Sequence, residues 1–266
     1  MPQIWVSSFS RAGGTDSQFW VNTNSIQGLG APGQTKFRRL RPVSAIVCWT
    51  AYNVDATDNT LVVVEQAGAK SVTASVTPGN YDLPTICTAV ATALTAASAQ
   101  TGNAYTYTVS YSTATALVTI TSTGAFSIQP PVAGRLYGLN QLLGFSMSSP
   151  SNAYATSQVG PRVASAQRYP FAYLKCSAVT GASSWVAGFS NDQLSPQQGQ
   201  LTGVFATVPT AAAPFGSYVT WQNTTIEWHM LSNDPTLHHL EFSITDENGT
   251  PIVLNGQWWA VQLEVD

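Results

Sequence analysis

The sequence predicts an all-β protein, a sandwich or barrel of antiparallel strands with one helix inserted among them. Apolar and polar residues alternate with a period of two along most of the chain, as they do in half-buried strands. Clusters of Asn, Gly and Pro separate these short runs and indicate turns. Strands and helices do not alternate in the way that builds a parallel sheet, so we do not expect a nucleotide-binding α/β fold.

The strongest local pattern, in residues 61–145, is a pair of β-hairpins with a helix between them. Asp82 is a predicted N-cap, and Pro84 falls in the first turn, where a missing N–H costs little. The predicted apolar face of the helix recurs at four-residue spacing and consists of Ile86, Val90, Leu94 and Ala97. We expect the only substantial helix near residues 82–99, within an inserted β-β-α-β-β subdomain over 61–145.

Further strands are predicted on both sides of this subdomain. Their expected ranges are 2–10, 17–23, 43–53, 171–178, 201–208, 218–222, 226–231, 237–245, 251–254 and 258–265. We interpret residues 1–266 as one domain whose first 42 residues form N-terminal strands and a basic arm. Within this domain, residues 24–42 and 146–168 are expected to be loops. Asp246–Gly249 is a predicted hairpin turn, because an Asn-Gly pair supplies positive φ values.

The composition points to a surface that does not simply face bulk water. Hydrophobic residues make up 44% of the 266 residues, enough for a sizeable core, and only 9% are charged. An ordinary soluble domain carries roughly 25% charged residues. Low charge combined with many aromatic residues is typical of buried interface surface. The alternative is an exported protein with a neutral surface rich in Ser and Thr.

Charge is distributed unevenly along the chain. Residues 1–175 contain 10 basic and 5 acidic residues, whereas residues 176–266 contain 8 acidic residues and none that are basic. Four of the basic residues lie close together: Lys36, Arg38, Arg39 and Arg41. This basic segment is either an arm that contacts a neighbouring subunit or nucleic acid, or a solvated loop that pairs with the acidic half of its own chain. Both interpretations remain open from the sequence.

The cysteines and the N-terminus carry little functional signal. The three cysteines are far apart without CxxC spacing, so we expect buried free thiols and assembly in a reducing compartment: Cys48, Cys87 and Cys176. The first residues lack the basic and apolar regions of a signal peptide. No apolar run approaches the length of a membrane span.

A search for reactive chemistry finds no nucleophile elbow, phosphate-binding loop or zinc-protease motif. Neighbouring residues in a strand point to opposite faces, so His238 and His239 are not expected to bind one ion together. Asp246 and Glu247 fit a turn better than a pair of catalytic carboxylates. Asp55 and Asp58 are too few for a calcium site. We therefore expect no enzyme activity, cofactor or metal.

Tryptophan pairs raise one further possibility, a platform for stacking sugars. The residues concerned are Trp221, Trp228, Trp258 and Trp259. In a strand, one member of a neighbouring pair normally faces the core, which weakens this interpretation.

An ordered series of motifs over residues 43–266 resembles the single jelly-roll penton and minor capsid proteins of double-stranded DNA viruses. That group includes the adenovirus-like lineage, virophages and Polinton-like viruses. The segments that carry the resemblance are Val76-Thr77-Pro78-Gly79-Asn80-Tyr81 with the helix after it, residues 107–111 and 118–121, Leu142-Leu143-Gly144-Phe145, residues 173–177, residues 205–209, residues 240–249 and residues 254–259.

The resemblance implies an antiparallel jelly-roll sandwich and a structural role in the virion. It implies a homopentamer that closes a vertex of an icosahedral capsid and is assembled inside the host cell. The implied partners are the major capsid protein and possibly a fibre or packaged DNA. The packing motifs would be Pro78, Gly79, Asn80, Tyr81, Leu143, Gly144 and Phe145, and the candidate inter-subunit contacts would be Lys36, Arg38, Arg39 and Arg41. The alternative is a receptor- or carbohydrate-binding β-sandwich of the fibre or adhesin type.

Overall fold

The computed structural model describes residues 3–22, 39–131, 138–146, 150, 153–177, 179–180, 183–185, 200–224, 227–231 and 239–266. Strands dominate this part of the chain. In chain order the elements are β1 (Gln3–Ser7), β2 (Gly13–Gly14), β3 (Gln18–Asn22), β4 (Arg39–Trp49), β5 (Thr60–Glu65), β6 (Lys70–Ser75), α1 (Leu83–Thr101), β7 (Tyr107–Tyr111), β8 (Val118–Ile128), α2 (Leu139–Leu142), β9 (Ala155–Val159), β10 (Phe171–Cys176), β11 (Val179–Thr180), β12 (Ser183–Trp185), β13 (Gln200–Thr202), β14 (Val204–Pro209), β15 (Ser217–Gln222), β16 (His229–Leu231), β17 (His239–Thr245) and β18 (Trp259–Val265).

These elements belong to two compact units. Of the described residues, the first unit contains those up to Ala51 and those from Tyr169 onwards, and the second unit contains those from Tyr52 to Arg168. Residues 61–145, which we interpreted as an inserted subdomain, all lie within the second unit.

The first unit is an antiparallel sandwich with the strand order of a jelly roll. One sheet has the order β1-β18-β4, and β15 and β16 both pair with β4, while the other sheet has the order β14-β10-β17-β3-β2. The eight main strands are β1, β3, β4, β10, β14, β15, β17 and β18. Numbered one to eight in that order, they form one sheet 1-8-3-6 and a second sheet 2-7-4-5. Two such interlocked Greek keys define a jelly roll, and the predicted fold class is confirmed.

Period-two patterning builds the core between these sheets, as the sequence predicts. In β18 the residues Trp259, Val261, Leu263 and Val265 are buried and contact the same apolar cluster as Leu240, Phe242 and Ile244 of β17. Phe19 stacks on Phe242 and meets Trp259 edge-on, with ring centroids 5.9 and 5.2 Å apart. Aromatic residues thus join the two sheets at the centre of the sandwich.

The predicted turn at Asp246–Gly249 is present, but its chemistry differs from the expectation. Only Gly249 has a positive φ, of 80°, and Asn248 does not. The buried Asp246 side chain orders the turn instead, because its Oδ1 accepts hydrogen bonds from the backbone N–H groups of Asn248 and Thr250 at 2.9 and 2.8 Å. These two hydrogen bonds hold the turn in place, so that only one of its residues has a positive φ.

The second unit consists of one antiparallel sheet with helix α1 on it. The sheet has the order β6-β5-β8-β7, and β9 pairs with β8. Asp82 caps α1, since its Oδ1 accepts from the N–H of Thr85 at 2.8 Å while Thr85 Oγ1 accepts from the N–H of Asp82 at 3.1 Å. This reciprocal pair is a capping box. Ile86, Val90 and Leu94 are buried as predicted; Ala97 is only partly buried, and Ser98 takes the last buried position.

The clearest differences from the predicted boundaries lie in three segments. Strand β4 begins at Arg39, inside the segment expected to be a loop, and β9 lies within the other expected loop. Residues 251–254 form no strand, and Pro251 makes only an isolated bridge to Thr245.

We predict that Phe145→Ala destabilises the protein. Phe145 is buried in the same cluster as Ile86, Val90 and Leu94. Removing a buried phenyl ring costs about 3–5 kcal/mol, because contacts are lost and a cavity remains. Scanning calorimetry measures the change in melting temperature. Phe171→Ala is the matched control, since that ring is exposed, and an unchanged melting temperature for Phe145→Ala would contradict the burial of its ring.

Candidate functional site

Pro78-Gly79-Asn80-Tyr81 is held against the beginning of the second unit. Gly79 and Val54 exchange two backbone hydrogen bonds, of 2.8 and 3.2 Å. The Tyr81 hydroxyl donates to the carbonyl of Thr77 at 2.7 Å, which closes the turn. The segment therefore sets the direction in which the chain enters α1.

Asn53 joins both chain ends of the second unit. Its amide nitrogen donates to the carbonyls of Tyr81 and Ala166 at 2.7 and 2.8 Å, and its amide oxygen accepts from the N–H of Tyr81 at 2.9 Å. Asn53 is buried, so each of these hydrogen bonds satisfies a polar group that would be costly to leave without a partner. A short Asn side chain thus connects the first and the last residues of the unit.

Arg168 forms a second connection between the same ends. The Arg168 guanidinium lies 2.8 Å from Asp55 Oδ2 and also pairs with Asp58. Burial would raise the pKa of Asp55, but hydrogen bonds from Thr57 and the charge of Arg168 outweigh it, and the pKa lies below the usual range. We call Asn53, Asp55, Asp58, Ala166 and Arg168 the terminal clasp. The guanidinium group of Arg168 occupies the position beside Asp55 and Asp58 where a calcium ion bound by these two carboxylates would have to lie.

A small cavity of about 50 Å³ adjoins the terminal clasp. It is lined by Asn53, Asp58, Gly138, Gln141, Leu142, Ser165, Gln167 and Arg168. This volume suits one or two water molecules and is far below the roughly 300 Å³ of a small-molecule site.

The Leu142–Phe145 motif brings two backbone segments into direct contact. Gly144 has φ of +79°, and its carbonyl accepts from the N–H of Arg162 at 3.1 Å. A Cβ atom on Gly144 would lie 2.1 Å from the carbonyl oxygen of Arg162. Only glycine fits here, while Leu143 and Phe145 on either side of it are buried in the core. The motif is a packing element of the second unit.

Glu65 is a buried carboxylate that no motif in the sequence singles out. Its Oε1 accepts from the Tyr107 hydroxyl at 3.0 Å, and its Oε2 accepts from the amide of Asn103 at 2.8 Å. Burial, reinforced by the charge of Glu65, raises the pKa of Tyr107, so the phenol keeps its proton and donates. Glu65 is the last residue of β5, and in the sequence it cannot be distinguished from an ordinary polar residue at the end of a strand.

Two residues of the basic segment pair with the acidic C-terminal strand of the same chain. Arg39 lies 2.5 Å from Asp266, and Arg41 pairs with Glu264. Both guanidinium groups also lie over the Trp228 ring, 4.6 and 5.4 Å from its centroid. Such partly exposed pairs are each worth about 0–1 kcal/mol. Lys36 and Arg38 lie outside the described residues, and the inter-subunit role of all four stays a prediction.

The other reactive candidates are not brought together. In the described residues no group of three or more His, Cys, Asp or Glu side chains could hold a metal ion. Burial lowers the pKa of His229, although Glu227 and a backbone contact to Phe205 partly oppose this. Burial raises the pKa of Glu247 in its turn. Cys48, Cys87 and Cys176 are buried free thiols.

The tryptophan pairs separate as strand alternation requires. Trp259 is buried, and Trp221 contacts the core. In contrast, the ring of Trp228 lies under the guanidinium groups of Arg39 and Arg41, and Trp258 lies outside the core. Within the described part of the chain, no helix is long and apolar enough to span a membrane.

Comparisons with known proteins show a distant likeness in structure and none in sequence. No protein-family model matches the sequence, and no curated protein matches it. Among solved structures the chain is similar to the selenomethionine-labelled penton protein of mavirus, with a TM-score of 0.44 and 12% sequence identity over 100% of both chains. The jelly-roll assignment rests on the strand order of this chain itself.

We predict that Gly144→Ala destabilises the second unit more than Gly68→Ala. Both positions have a positive φ, which costs a Cβ-bearing residue about 1–2 kcal/mol. A Cβ on Gly68 would meet only the Lys70 side chain, at 3.5 Å, whereas one on Gly144 would collide with a carbonyl. Urea unfolding followed by circular dichroism measures both. Equal losses would show that the backbone around Gly144 moves aside freely.

We predict that the stability contributed by Asp55 is lost in acid. Because the pKa of Asp55 is lowered in the folded protein, its contribution is complete above the ordinary value of 3.8. It disappears as the pH falls through the lower folded value, since protonation then removes one of the two charged partners of Arg168. Melting temperatures of the parent chain and Asp55→Asn should differ by a constant amount at neutral pH and converge between about pH 5 and pH 2. A difference that persists at the acid end would contradict the role of this carboxylate.

Proposed function

We propose that this chain is a structural subunit of a viral capsid, a vertex protein that self-associates into a five-membered ring. The observation that carries the proposal is the jelly-roll strand order of the first unit. Jelly rolls recur in capsid shells, where two interlocked sheets leave few free edges. Because one fold serves many functions, the surface chemistry has to support the same conclusion.

The surface chemistry fits a protein that is covered by neighbours in its working state. Only 9% of the residues are charged, and several aromatic side chains are exposed on the first unit, including Trp5, Phe171 and Tyr218. Protein interfaces are enriched in such aromatic residues and depleted in charge. A cyclic ring needs two different contact patches on each subunit, one for each neighbour. We place such a protein in the virion, assembled inside the host cell beside the major capsid protein.

The basic segment has a narrower role in this proposal than the sequence suggests. Arg39 and Arg41 already have carboxylate partners in their own chain: Asp266, directly after β18, and Glu264 within it. The other two charges of the segment, Lys36 and Arg38, lie outside the described residues. We propose that these two contact the neighbour, while Arg39 and Arg41 attach the segment to the sheet. Packaged DNA is the other possible partner, and its attraction to Lys and Arg is independent of sequence and weakens steeply with salt.

We predict that the purified chain forms particles of five copies, with a mass five times 28.2 kDa, or 141 kDa. Sedimentation velocity and light scattering across a salt series measure the mass. A ring held partly by charge should loosen as salt rises, because exposed ion pairs are screened. A monomer at low salt and high concentration would overturn the proposed assembly.

Two double variants separate assembly from folding. Lys36→Ala with Arg38→Ala should reduce the particle mass and leave the melting temperature unchanged. Arg39→Ala with Arg41→Ala should lower the melting temperature, because the pairs to Asp266 and Glu264 are lost. If the first variant assembles normally and loses only affinity for duplex DNA, the segment faces the genome and the neighbouring-subunit contact is wrong.

A further inference from the structure

The two sheets of the first unit differ in how their edges are protected. In the β14-β10-β17-β3-β2 sheet, the edge strand β2 has only two residues, Gly13 and Gly14. At the other edge, the pairing of β14 with β10 shifts its register, and β14 ends in Pro209, which has no N–H to donate. Short edge strands, bulges and prolines prevent other chains from pairing with a sheet. Both edges of this sheet are therefore protected.

The edge strands β1 and β15 of the other sheet lack this protection. Strand β15 has the sequence Ser-Tyr-Val-Thr-Trp-Gln, and β1 has the sequence Gln-Ile-Trp-Val-Ser. Neither strand contains a charged residue, a proline or a glycine, and the pairing of each with its neighbour in the sheet has no shift of register. Aromatic and β-branched residues favour strands. An exposed edge of this kind is a template on which a further strand forms.

Half of the backbone groups of β15 point away from its sheet. The N–H of Asn223 donates to the carbonyl of Val43, which fixes the alternation of hydrogen bonds along β15. The residues whose N–H and C=O groups face the open edge are then Tyr218, Thr220 and Gln222. Their side chains are exposed, and in the described part of the chain these backbone groups have no hydrogen-bond partner.

The same alternation leaves an open edge at β1. The N–H of Cys48 donates to the Trp258 carbonyl, so the even-numbered residues of β18 face β4 and the odd-numbered ones face β1. The residues of β1 that pair with the odd-numbered ones and bond to β18 are Ile4 and Val6. The residues that face the open edge are Gln3, Trp5 and Ser7. Among the described residues, only the Ser7 carbonyl has a partner there, the Ser10 hydroxyl at 3.4 Å.

The two open edges are complementary in direction and pattern. All three strand pairs of the β1-β18-β4-β15 sheet are antiparallel, so β1 and β15 run in opposite directions. When two copies of the chain lie side by side in the same orientation, β15 of one copy is antiparallel to β1 of the next. Each edge presents paired N–H and C=O groups on alternate residues, as an antiparallel ladder requires. One kind of contact thus satisfies both edges.

We propose that β15 of one subunit pairs with β1 of its neighbour, so that the subunits are joined by strand addition. The inference rests on the proposed function, because the ring supplies the second copy of the chain. In strand addition the main-chain hydrogen bonds give affinity. The contact joins two different patches, as a cyclic ring needs, and it lies beside the exposed rings of Trp5 and Tyr218. Pairing of β15 with a second β15 would leave β1 open.

The first test removes one N–H from each open edge. Thr220→Pro and Trp5→Pro each delete a donor that points away from the sheet, a position where proline is tolerated. Sedimentation velocity of the full chain should show a fivefold fall in particle mass for either variant, to the 28.2 kDa of one copy. Thr220→Lys keeps the donor but places a charge at the edge, and should dissociate the particle as well. Circular dichroism spectra check that the variants are folded.

Thr207→Pro and Thr207→Lys are the matched controls at the edge of the other sheet. Thr207 is exposed on β14. The N–H of Thr210 donates to the Pro170 carbonyl, so the alternation places the Thr207 N–H at the open side of β14. Both controls should keep the particle mass of the parent chain. An equal loss of mass in the controls and the edge variants would contradict the proposed pairing.

An equal mixture of Thr220→Pro and Trp5→Pro chains identifies the edges that meet. The mixture contains an intact β15 on one chain and an intact β1 on the other, so two chains form one contact and no third chain adds to them. The expected particle has two copies and a mass of twice 28.2 kDa, or 56.4 kDa, although each variant alone is a monomer. A mixture that stays monomeric would overturn the proposal. So would Trp5→Pro chains that form two-copy particles by themselves, because β15 would then pair with β15.

The outcomes separate this pairing from the ring itself. If the parent chain forms five-copy particles and the edge variants leave their mass unchanged, the pairing is wrong and the ring stands. If the parent particles have another copy number, but the edge variants dissociate them and the mixture gives two-copy particles, the pairing stands and the ring of five is wrong. A parent chain that stays monomeric at low salt and high concentration overturns both.

Discussion

The register of β18 is the constraint on which the first unit depends. This strand lies between β1 and β4, and its buried side chains supply much of the contact between the two sheets. Because side chains alternate along a strand, a slip of one residue would turn Gln262 and Glu264 towards the core. The ion pairs of Arg39 with Asp266 and of Arg41 with Glu264 are formed in this register. The apolar core thus determines the alignment, and the ion pairs of modest strength add to it.

A bulge in β4 lets this register coexist with a proline in a central strand. Leu263 is opposite Pro42, and the next residue, Gln262, is opposite Ser44, so β4 carries one extra residue. Proline has no N–H for the ladder and is tolerated in sheets mainly at such bulges. Asn223 satisfies the disturbed backbone, since its side-chain amide donates to the Pro42 carbonyl at 2.8 Å and its N–H to the Val43 carbonyl at 2.9 Å.

Local chemistry explains which features were predictable from the sequence. The helix cap at Asp82, the apolar face around Val90 and the alternation in β18 each follow from residues within a few positions of one another. The start of β4 was missed because Pro42 and the arginines are typical of loops, and only the distant Asn223 and β18 make a strand possible there. Glu65 and the terminal clasp were missed for the same reason. Their partners lie far away in the sequence, and no local pattern indicates that a carboxylate is buried or that a guanidinium group is paired.

Charge illustrates the same dependence on long-range pairing. The basic and acidic halves of the chain suggest two separate patches, yet β4 from the first half and β18 from the second are adjacent strands. Part of the asymmetry is therefore neutralised inside one subunit. What distinguishes the surface is then its low content of charge and its exposed aromatic side chains.

The terminal clasp has a consequence for the ancestry of the chain. Asn53 and Arg168 bring the first and last residues of the second unit together within one set of hydrogen bonds and ion pairs. Domains whose termini lie close together are readily accepted as insertions in a host fold. A gene segment encoding such a unit can be gained, lost or exchanged by recombination while the eight-strand order around it is conserved. The connection between β4 and β10 is thus the position at which the first unit accommodates an inserted unit without a change in its eight-strand order.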